Sequence, residues 1–283
     1  MAGLLPASHQ TYISTKKGKE QMIKIENVHV HGWEAAIRGA RNPMNSWDKS
    51  DSGKGTGKGV LCKDCKPNCQ FCDETLQFTL GPNDHKLLMR LAKGGTEEAK
   101  WRRFIDVTMD IVAPLYWWKE FDTYKVATVS NSCSTMHKIQ AKEFTLDDFS
   151  CEHLFTDPTI DANQEILDPV LSACFDGKVI DPDGTERELR CYAMDCLTDI
   201  IAALNNYRNK YNGTKSKAYW WQLIQLLPSS YNQRRTIHLN YEVLSAQYRQ
   251  RKNHKLDEWI TYTNWIRTLP YSDLITLEEA NGE

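Results

Sequence analysis

Residues Ala113–Lys138 read APLYWWKEFDTYKVATVSNSCSTMHK. Pro114 is suited to open a helix, and the spacing predicts one through about Tyr124, followed by a strand over Val126–Asn131. Tyr116, Trp117, Trp118, Phe121 and Tyr124 stand beside Lys119, Lys125 and Lys138 and a run of Ser, Thr and Asn. Two readings are open. Planar side chains with amide and hydroxyl donors suit a site that stacks a heteroaromatic ring and holds a phosphate. The same residues also suit an aromatic core helix followed by a polar strand, which is the commoner case.

Working outward, Phe104–Val112 alternates as a strand, and Asn83 or Asp84 caps a predicted helix that Gly94-Gly95 ends after Lys93. Met22–His31 alternates as a half-buried strand, and Trp33–Arg41 reads as a short helix closed by Asn42-Pro43. Downstream, helices are predicted over Cys191–Tyr211, stopped by Asn212-Gly213, and over Lys217–Leu227, before Pro228. Two more follow over Thr236–Gln250 and Leu256–Thr268. The third of these four helices would place Asn240, Gln247 and Arg251 on one stripe, because offsets of seven and eleven residues are near whole turns. Such a stripe is a binding face or simply a solvated one. Arg234 and Arg235 fall in the preceding loop, where their guanidinium groups suit phosphate. The result is a mixed α/β (α+β) fold, a sheet with helices and a helical C-terminal half. A single domain spans 22–270, with a Gly/Cys-rich insertion at 48–76 and an acidic, turn-rich one at about 145–190. Residues 1–21 read as a flexible tail and 271–283 as a C-terminal tail.

A formal net charge of −2 gives no global attraction to nucleic acid, which makes that partner unexpected, or to anionic membrane. No apolar run reaches the roughly 20 residues of a membrane span. Nine Cys, four of them crowded together, suit a reducing compartment, and the cytoplasm is the expected location. The crowded four, Cys62, Cys65, Cys69 and Cys72, form a C-x2-C-x3-C-x2-C run able to give four thiolates to one structural zinc. Free or redox-active thiols and an iron–sulfur cluster are the alternatives. The preceding DKSDSGKGTGKG (48–59) lacks the spacing of a phosphate loop and reads as a linker.

Taken in order, these segments resemble the flavin-dependent thymidylate synthase family. Ala36–Arg41 matches its AxRxAR-type segment, Asp84–Thr96 its helix with a following Gly, and Phe104–Pro114 its strand into Ala-Pro. Thr128, Asn131 and Ser134 match its spaced polar residues, allowing one insertion. Asn240 falls twelve residues after Pro228, and Arg251 eleven after Asn240, as in the family. Order and spacing agree over roughly residues 30–265, outside the insertions. The family's Arg-His-Arg triplet aligns with Thr123-Tyr124-Lys125; Met136, Ile224 and Thr96 stand where the family has Arg, Arg and His.

The resemblance implies reductive transfer of one carbon to C5 of dUMP or a related pyrimidine deoxynucleotide. It implies FAD as cofactor, NADPH and methylene-tetrahydrofolate as co-substrates, and a homotetramer with FAD where subunits meet. It assigns Tyr124, Lys125, Val126, Thr128, Asn131, Asn240 and Gln247 to the cofactor. Glu120, Thr123, Ser134, Thr135 and Arg251 go to the nucleotide, Arg251 to its base. No covalent nucleophile is implied, and Cys133 reads as a small filler. With the family's phosphate clamp altered, Lys119, Lys125, His137, Arg234 and Arg235 are the candidate replacements. The alternatives are an inactive or regulatory nucleotide-binding homologue and a zinc-containing nucleic-acid-binding protein on the same scaffold.

Overall fold

The computed structural model describes residues 23–54, 78–156, 173–180 and 186–278; the four-cysteine run and the N-terminal stretch to Met22 lie outside them. The elements are β1 (Lys24–His31), α1 (Trp33–Arg41), β2 (Gly53–Lys54), β3 (Phe78–Thr79), α2 (Pro82–Lys93) and β4 (Asp106–Pro114). Then come α3 (Leu115–Phe121), β5 (Val129–Ser132), β6 (Ala173–Ile180), β7 (Glu186–Tyr192), α4 (Ala193–Thr214) and α5 (Lys217–Leu226). The chain continues through β8 (Asn232–Asn240), α6 (Tyr241–Arg251), α7 (Asp257–Ile266) and α8 (Asp273–Thr276). It is a mixed α/β fold, as its patterns predict.

The frame is an antiparallel sheet in the order β1-β4-β8-β5. Alternation along β4 and β8 turns Val107, Met109, Ile111, Ala113, Ile237 and Leu239 to a helix-covered face, all within 1% of full burial. The other face is polar, as an antiparallel sheet allows. Trp117, Trp118, Phe121, Trp259 and Tyr262 pack edge-on and tilted beneath the helices, joined to Trp33, Leu88, Trp101, Tyr241 and Tyr248 in one core. A smaller core under α4 and α5 gathers Ile139, Phe144, Phe149, Leu197, Leu204 and Leu223.

The turn into α1 requires glycine. Gly32 has φ +97, and a Cβ there would meet the Phe104 carbonyl oxygen at 1.8 Å.

The structure departs from the sequence reading at several places. Thr236–Asn240 is strand, not helix: these residues pair with Asp106–Asp110 of β4, and Asn240 ends the ladder by capping α6. Arg234 and Arg235 are therefore strand residues rather than a loop pair. Asp84 does not cap α2; it lies within the first turn, which follows Gly81. Asn212-Gly213 does not stop α4, which ends at Lys215 in the left-handed conformation (φ 58). The acidic stretch contains the hairpin β6–β7. The segment from 271, read as a tail, carries α8, with Leu274 and Ile275 fully buried and Arg102 Nε donating to the Leu274 carbonyl at 2.9 Å.

Candidate functional site

The helix α3 is pinned at both ends. Its first amides, Leu115 and Tyr116, donate to the carbonyls of Tyr231 and Ser229, and Thr123 Oγ1 donates to the Glu120 carbonyl at its C-terminus. Ala127, with φ 56, then turns the chain back into β5. This sets Glu120 and Tyr124 on the edge of the core, facing the end of α6 and the start of α7.

Glu120 is the hub. Its Oε2 accepts from Arg251 Nη1 at 2.6 Å and from Trp259 Nε1 at 3.0 Å, and stands 3.3 Å from His254 Nε2. Arg251 Nε donates to the Tyr124 hydroxyl at 3.0 Å, and that hydroxyl donates to Gln250 Oε1 at 2.8 Å. The Arg251 guanidinium lies over the Trp259 ring with its Cζ 4.7 Å from the centroid. A second tie joins α3 to α7: the Tyr116 hydroxyl donates to the buried Glu258, and burial, followed by that bond, holds the phenol well above its usual pKa.

Beside this cluster is a cleft of about 150 Å³ lined by Phe121, Asp122, Tyr124, Lys125, Thr128 and Ser130. Thr128 Oγ1 is buried there without a partner among the described residues. Lys125 is exposed, and Val126 is 86% exposed. Farther along, Asn131 is exposed on β5, and Thr135 is half-buried. Ser134 Oγ accepts from the amides of Met136 and His137, which folds the end of the segment into a turn.

Not every residue that the resemblance assigns joins this place. Gln247 is fully buried, its Oε1 accepting from Tyr262, and it faces α7 rather than the cleft. Asn240 Oδ1 is used by the Val243 amide as the cap of α6. The five aromatic residues of the opening stretch divide: Trp117, Trp118 and Phe121 are core, and only Tyr116 and Tyr124 are partly open. Arg234 and Arg235 point to opposite faces of β8 and do not converge. Arg235 lies 4.3 Å over Trp118 and donates to Asp122 at 2.7 Å, whereas Arg234 donates to Asp110 at 2.8 Å on the polar face. Bonds from Thr236, Arg234 and Asn27 hold the Asp110 carboxyl well below the usual range.

His254, Trp259 and Gln250 are members of the cluster that pattern alone does not reveal; their nearness in sequence to Arg251 is the one available signal. In the first matched segment, Arg41 is 5% exposed and pairs with Asp84, while Arg38 is exposed at a second cavity of about 250 Å³ with Trp47, Ser50, Ser52 and Phe78. Among the described residues there is no grouping of three His, Cys, Asp or Glu placed to hold a metal, and no helix long and apolar enough to cross a membrane.

No family model matches the chain, and no curated protein matches it in sequence. Solved structures do match. One of the flavin-dependent thymidylate synthase of Helicobacter pylori, complexed with FAD and dUMP, aligns with TM-score 0.52 at 13% identity, over 90% of this chain and 98% of that one. A second, also with FAD and dUMP, aligns with TM-score 0.53 at 14% identity, over 91% and 98%. The chain has the fold of the flavin-dependent thymidylate synthases.

Proposed function

We propose that this chain is a flavin-dependent enzyme that methylates C5 of dUMP or a related pyrimidine deoxynucleotide, with methylene-tetrahydrofolate and NADPH as co-substrates. The carrying observation is the convergence of Arg251 with Glu120 and Tyr124, 131 and 127 residues away in sequence, in a chain of this fold. The guanidinium edge and the carboxylate beside it offer donors and an acceptor to the edge of a heteroaromatic base, while Trp259 and Tyr124 fix their planes. Thr123, Ser134 and Thr135 lie along the same segment and complete the nucleotide side of this reading.

The residues fit FAD in part. A buried hydroxyl at Thr128 and an exposed cation at Lys125, neither with a partner among the described residues, suit one end of a dinucleotide, with Tyr124, Val126 and Asn131 alongside. A cleft of about 150 Å³ is smaller than the roughly 300–1,000 Å³ usual for ligand sites, so one chain holds only a portion. A homotetramer with the cofactor between subunits supplies the remainder of the wall. When bound, the reduced flavin would supply the hydride that the protein lacks. Neither Gln247 nor Asn240 reaches this cleft in one chain, and we assign both to the framework.

The first test is the absorbance spectrum of the purified protein and its titration with FAD; a colourless protein that gains no flavin refutes the reading. Tritium release from C5-labelled dUMP then separates dUMP from another pyrimidine nucleotide. The zinc reading of Cys62, Cys65, Cys69 and Cys72, residues outside those described, rests on spacing alone. Metal analysis of the wild type against Cys65→Ser tests it, with unchanged zinc refuting it. Cysteine usage supports the cytoplasm as location.

A further inference from the structure

A net charge near zero conceals a steep segregation along the chain. Residues 143–199 carry fifteen Asp and Glu against three Lys and Arg, whereas residues 200–241 carry no acid and six Lys and Arg. Residues 123–142 are also free of acids and hold Lys125, Lys138 and Lys142, the last paired with Asp148 at 2.6 Å. The fold joins these two acid-free segments. Trp220 Nε1 donates to the Met136 carbonyl at 3.1 Å, and Arg208 Nε and Asn212 Nδ2 donate to the Gln140 carbonyl at 3.1 and 3.2 Å.

At the tip of the α4–α5 hairpin each of three rings carries a lysine. Lys210 Nζ lies 5.8 Å from the Tyr219 centroid, Lys215 Nζ 5.6 Å from Tyr211, and Lys217 Nζ 5.8 Å from Trp221. The three lysines are exposed, none has an ion pair among the described residues, and Trp221 is 43% exposed. The exposed face of Trp221 and the half-buried rings of Tyr211 and Tyr219, each next to a cation without an ion pair among the described residues, combine the two components that bind unpaired bases and their phosphates.

We propose that the α4–α5 tip, continued by the loop 134–142, is a binding surface for single-stranded nucleic acid. An acidic protein would use the lysines and leave the rings idle. A duplex would hide the base faces that the rings need. The strand would run from the tip along Lys138 toward the turn at Ser134. This surface does not rest on the flavin reading: the two share only Ser134 and Thr135 at its far end, and failure of FAD binding would leave the lysines and rings of the tip intact.

The test is fluorescence anisotropy of the full chain with a labelled oligothymidylate of about 20 nucleotides, between roughly 50 and 200 mM salt. The wild type should bind, with affinity falling as salt rises. Combined Lys210→Ala, Lys215→Ala and Lys217→Ala substitution should weaken binding at least about tenfold and flatten the log–log salt slope by about 2, since each single-strand phosphate contact contributes roughly 0.7. Trp221→Leu keeps the charge and should still cost about fivefold or more through lost stacking. Lys215→Glu, at an exposed helix end, is the second charge variant if the triple one unfolds by circular dichroism.

Four results overturn the proposal: no binding by the wild type at the lower salt, unchanged binding by the folded charge variant or by Trp221→Leu, displacement by poly-L-glutamate as efficient as by oligonucleotide, or preferential binding to vesicles containing phosphatidylglycerol.

Discussion

Replacing Asp84 by Asn changes one buried oxygen to an amide and unpicks a whole junction. The Asp84 side chain is 0% exposed, and Arg41, its partner, is 5% exposed. Oδ1 accepts from Arg41 Nε at 2.6 Å; Oδ2 accepts from Ser52 Oγ at 2.6 Å, Ser50 Oγ at 2.7 Å and the Asp51 amide at 3.1 Å. Arg41 in turn donates to the carbonyls of Ser46 and Lys49, so the pair fastens residues 46–52 to α1 and α2. An amide nitrogen cannot accept, and the guanidinium would be left buried without its counter-charge. Breaking a buried pair in this way costs about 3–5 kcal/mol. For 283 residues the unfolding entropy is about 0.6 kcal/mol/K, from roughly 2.1 cal/mol/K per residue, so the melting temperature of Asp84→Asn should fall by about 5–8 °C. Burial raises the Asp84 pKa, but the bonds from Ser52, Ser50 and Arg41 outweigh it and hold the carboxyl below its ordinary 3.8. A depressed carboxyl stabilises the fold above that value and loses the contribution as pH falls through the folded pKa. The wild type should therefore lose an increment of stability below about pH 3.8 that the Asn variant never has. Thermal melts of both proteins as a function of pH, followed by circular dichroism, measure this. Melting within about 1 °C of wild type at neutral pH would refute the reasoning. The double substitution Arg41→Met, Asp84→Leu should recover only part of the loss: no charge is stranded, but the Ser50 and Ser52 hydroxyls, the Asp51 amide and the Ser46 and Lys49 carbonyls lose these partners.

Arg251→Ala should weaken nucleotide binding at least about tenfold in calorimetric titration with dUMP, and Arg251→Lys should recover little of it, because a lysine cannot reach Glu120 and Tyr124 together from one rigid plane. Unchanged affinity in the Ala variant would remove Arg251 from the site. Thr128→Val should raise the stability of the free protein slightly, by about 0.5–1 kcal/mol, since it replaces a buried hydroxyl that has no partner among the described residues. The same variant should weaken FAD binding several-fold in a flavin fluorescence titration; equal FAD affinity would show that the hydroxyl does not serve the cofactor. Leu274→Ala should destabilise the chain by about 2–4 kcal/mol in urea unfolding, as deletion of a fully buried Leu does, and a near-neutral result would return residues beyond 270 to the status of a tail.

What the sequence discloses of this fold follows from which forces leave a periodic trace. The alternation in β1 and β4 survives because one face is half-buried in β1 and buried in β4, and α1 is legible from its helical spacing and the Asn42-Pro43 stop. At Thr236–Asn240 two periods overlap. Ile237 and Leu239 point inward at strand spacing, and Tyr241 and Leu244 then continue at helical spacing, so a helix pattern fits backward across the strand. The switch is marked by Asn240, whose cap signal is weaker than the apolar run around it. Long-range polar pairing leaves no such trace. Nothing local to Asp84 says that it meets Arg41, and nothing in Leu274-Ile275 says that these four-residue-helix side chains close the core beside Arg102.

The candidate site shows the same division more sharply. Spacing pairs Asn240 with Arg251, yet the two residues serve different ends: one caps α6, the other closes on Glu120 from its last turn. The candidate site depends on Trp117, Trp118 and Phe121 without exposing them, because Trp117 and Phe121, backed by Trp118, pack on Trp259 and hold α7 where its indole nitrogen meets Glu120. An aromatic core helix and the binding segment proposed above are thus compatible readings of residues 113–138. The buried half fixes the angle of α3, and the open half inherits that angle as the placement of Glu120 and Tyr124. A charged triplet can be lost from the exposed half without loosening this frame. Arg251, already held by a carboxylate, a phenol and an indole, keeps its place whatever occupies the neighbouring positions. On the proposed function, a triplet Thr123-Tyr124-Lys125 less basic than that of the family the chain resembles should alter how phosphate is held far more than where the base is held. Comparing nucleoside with nucleotide affinity for the wild type measures that directly: a small ratio supports the argument, and a large one would mean that other cations have taken over the clamp.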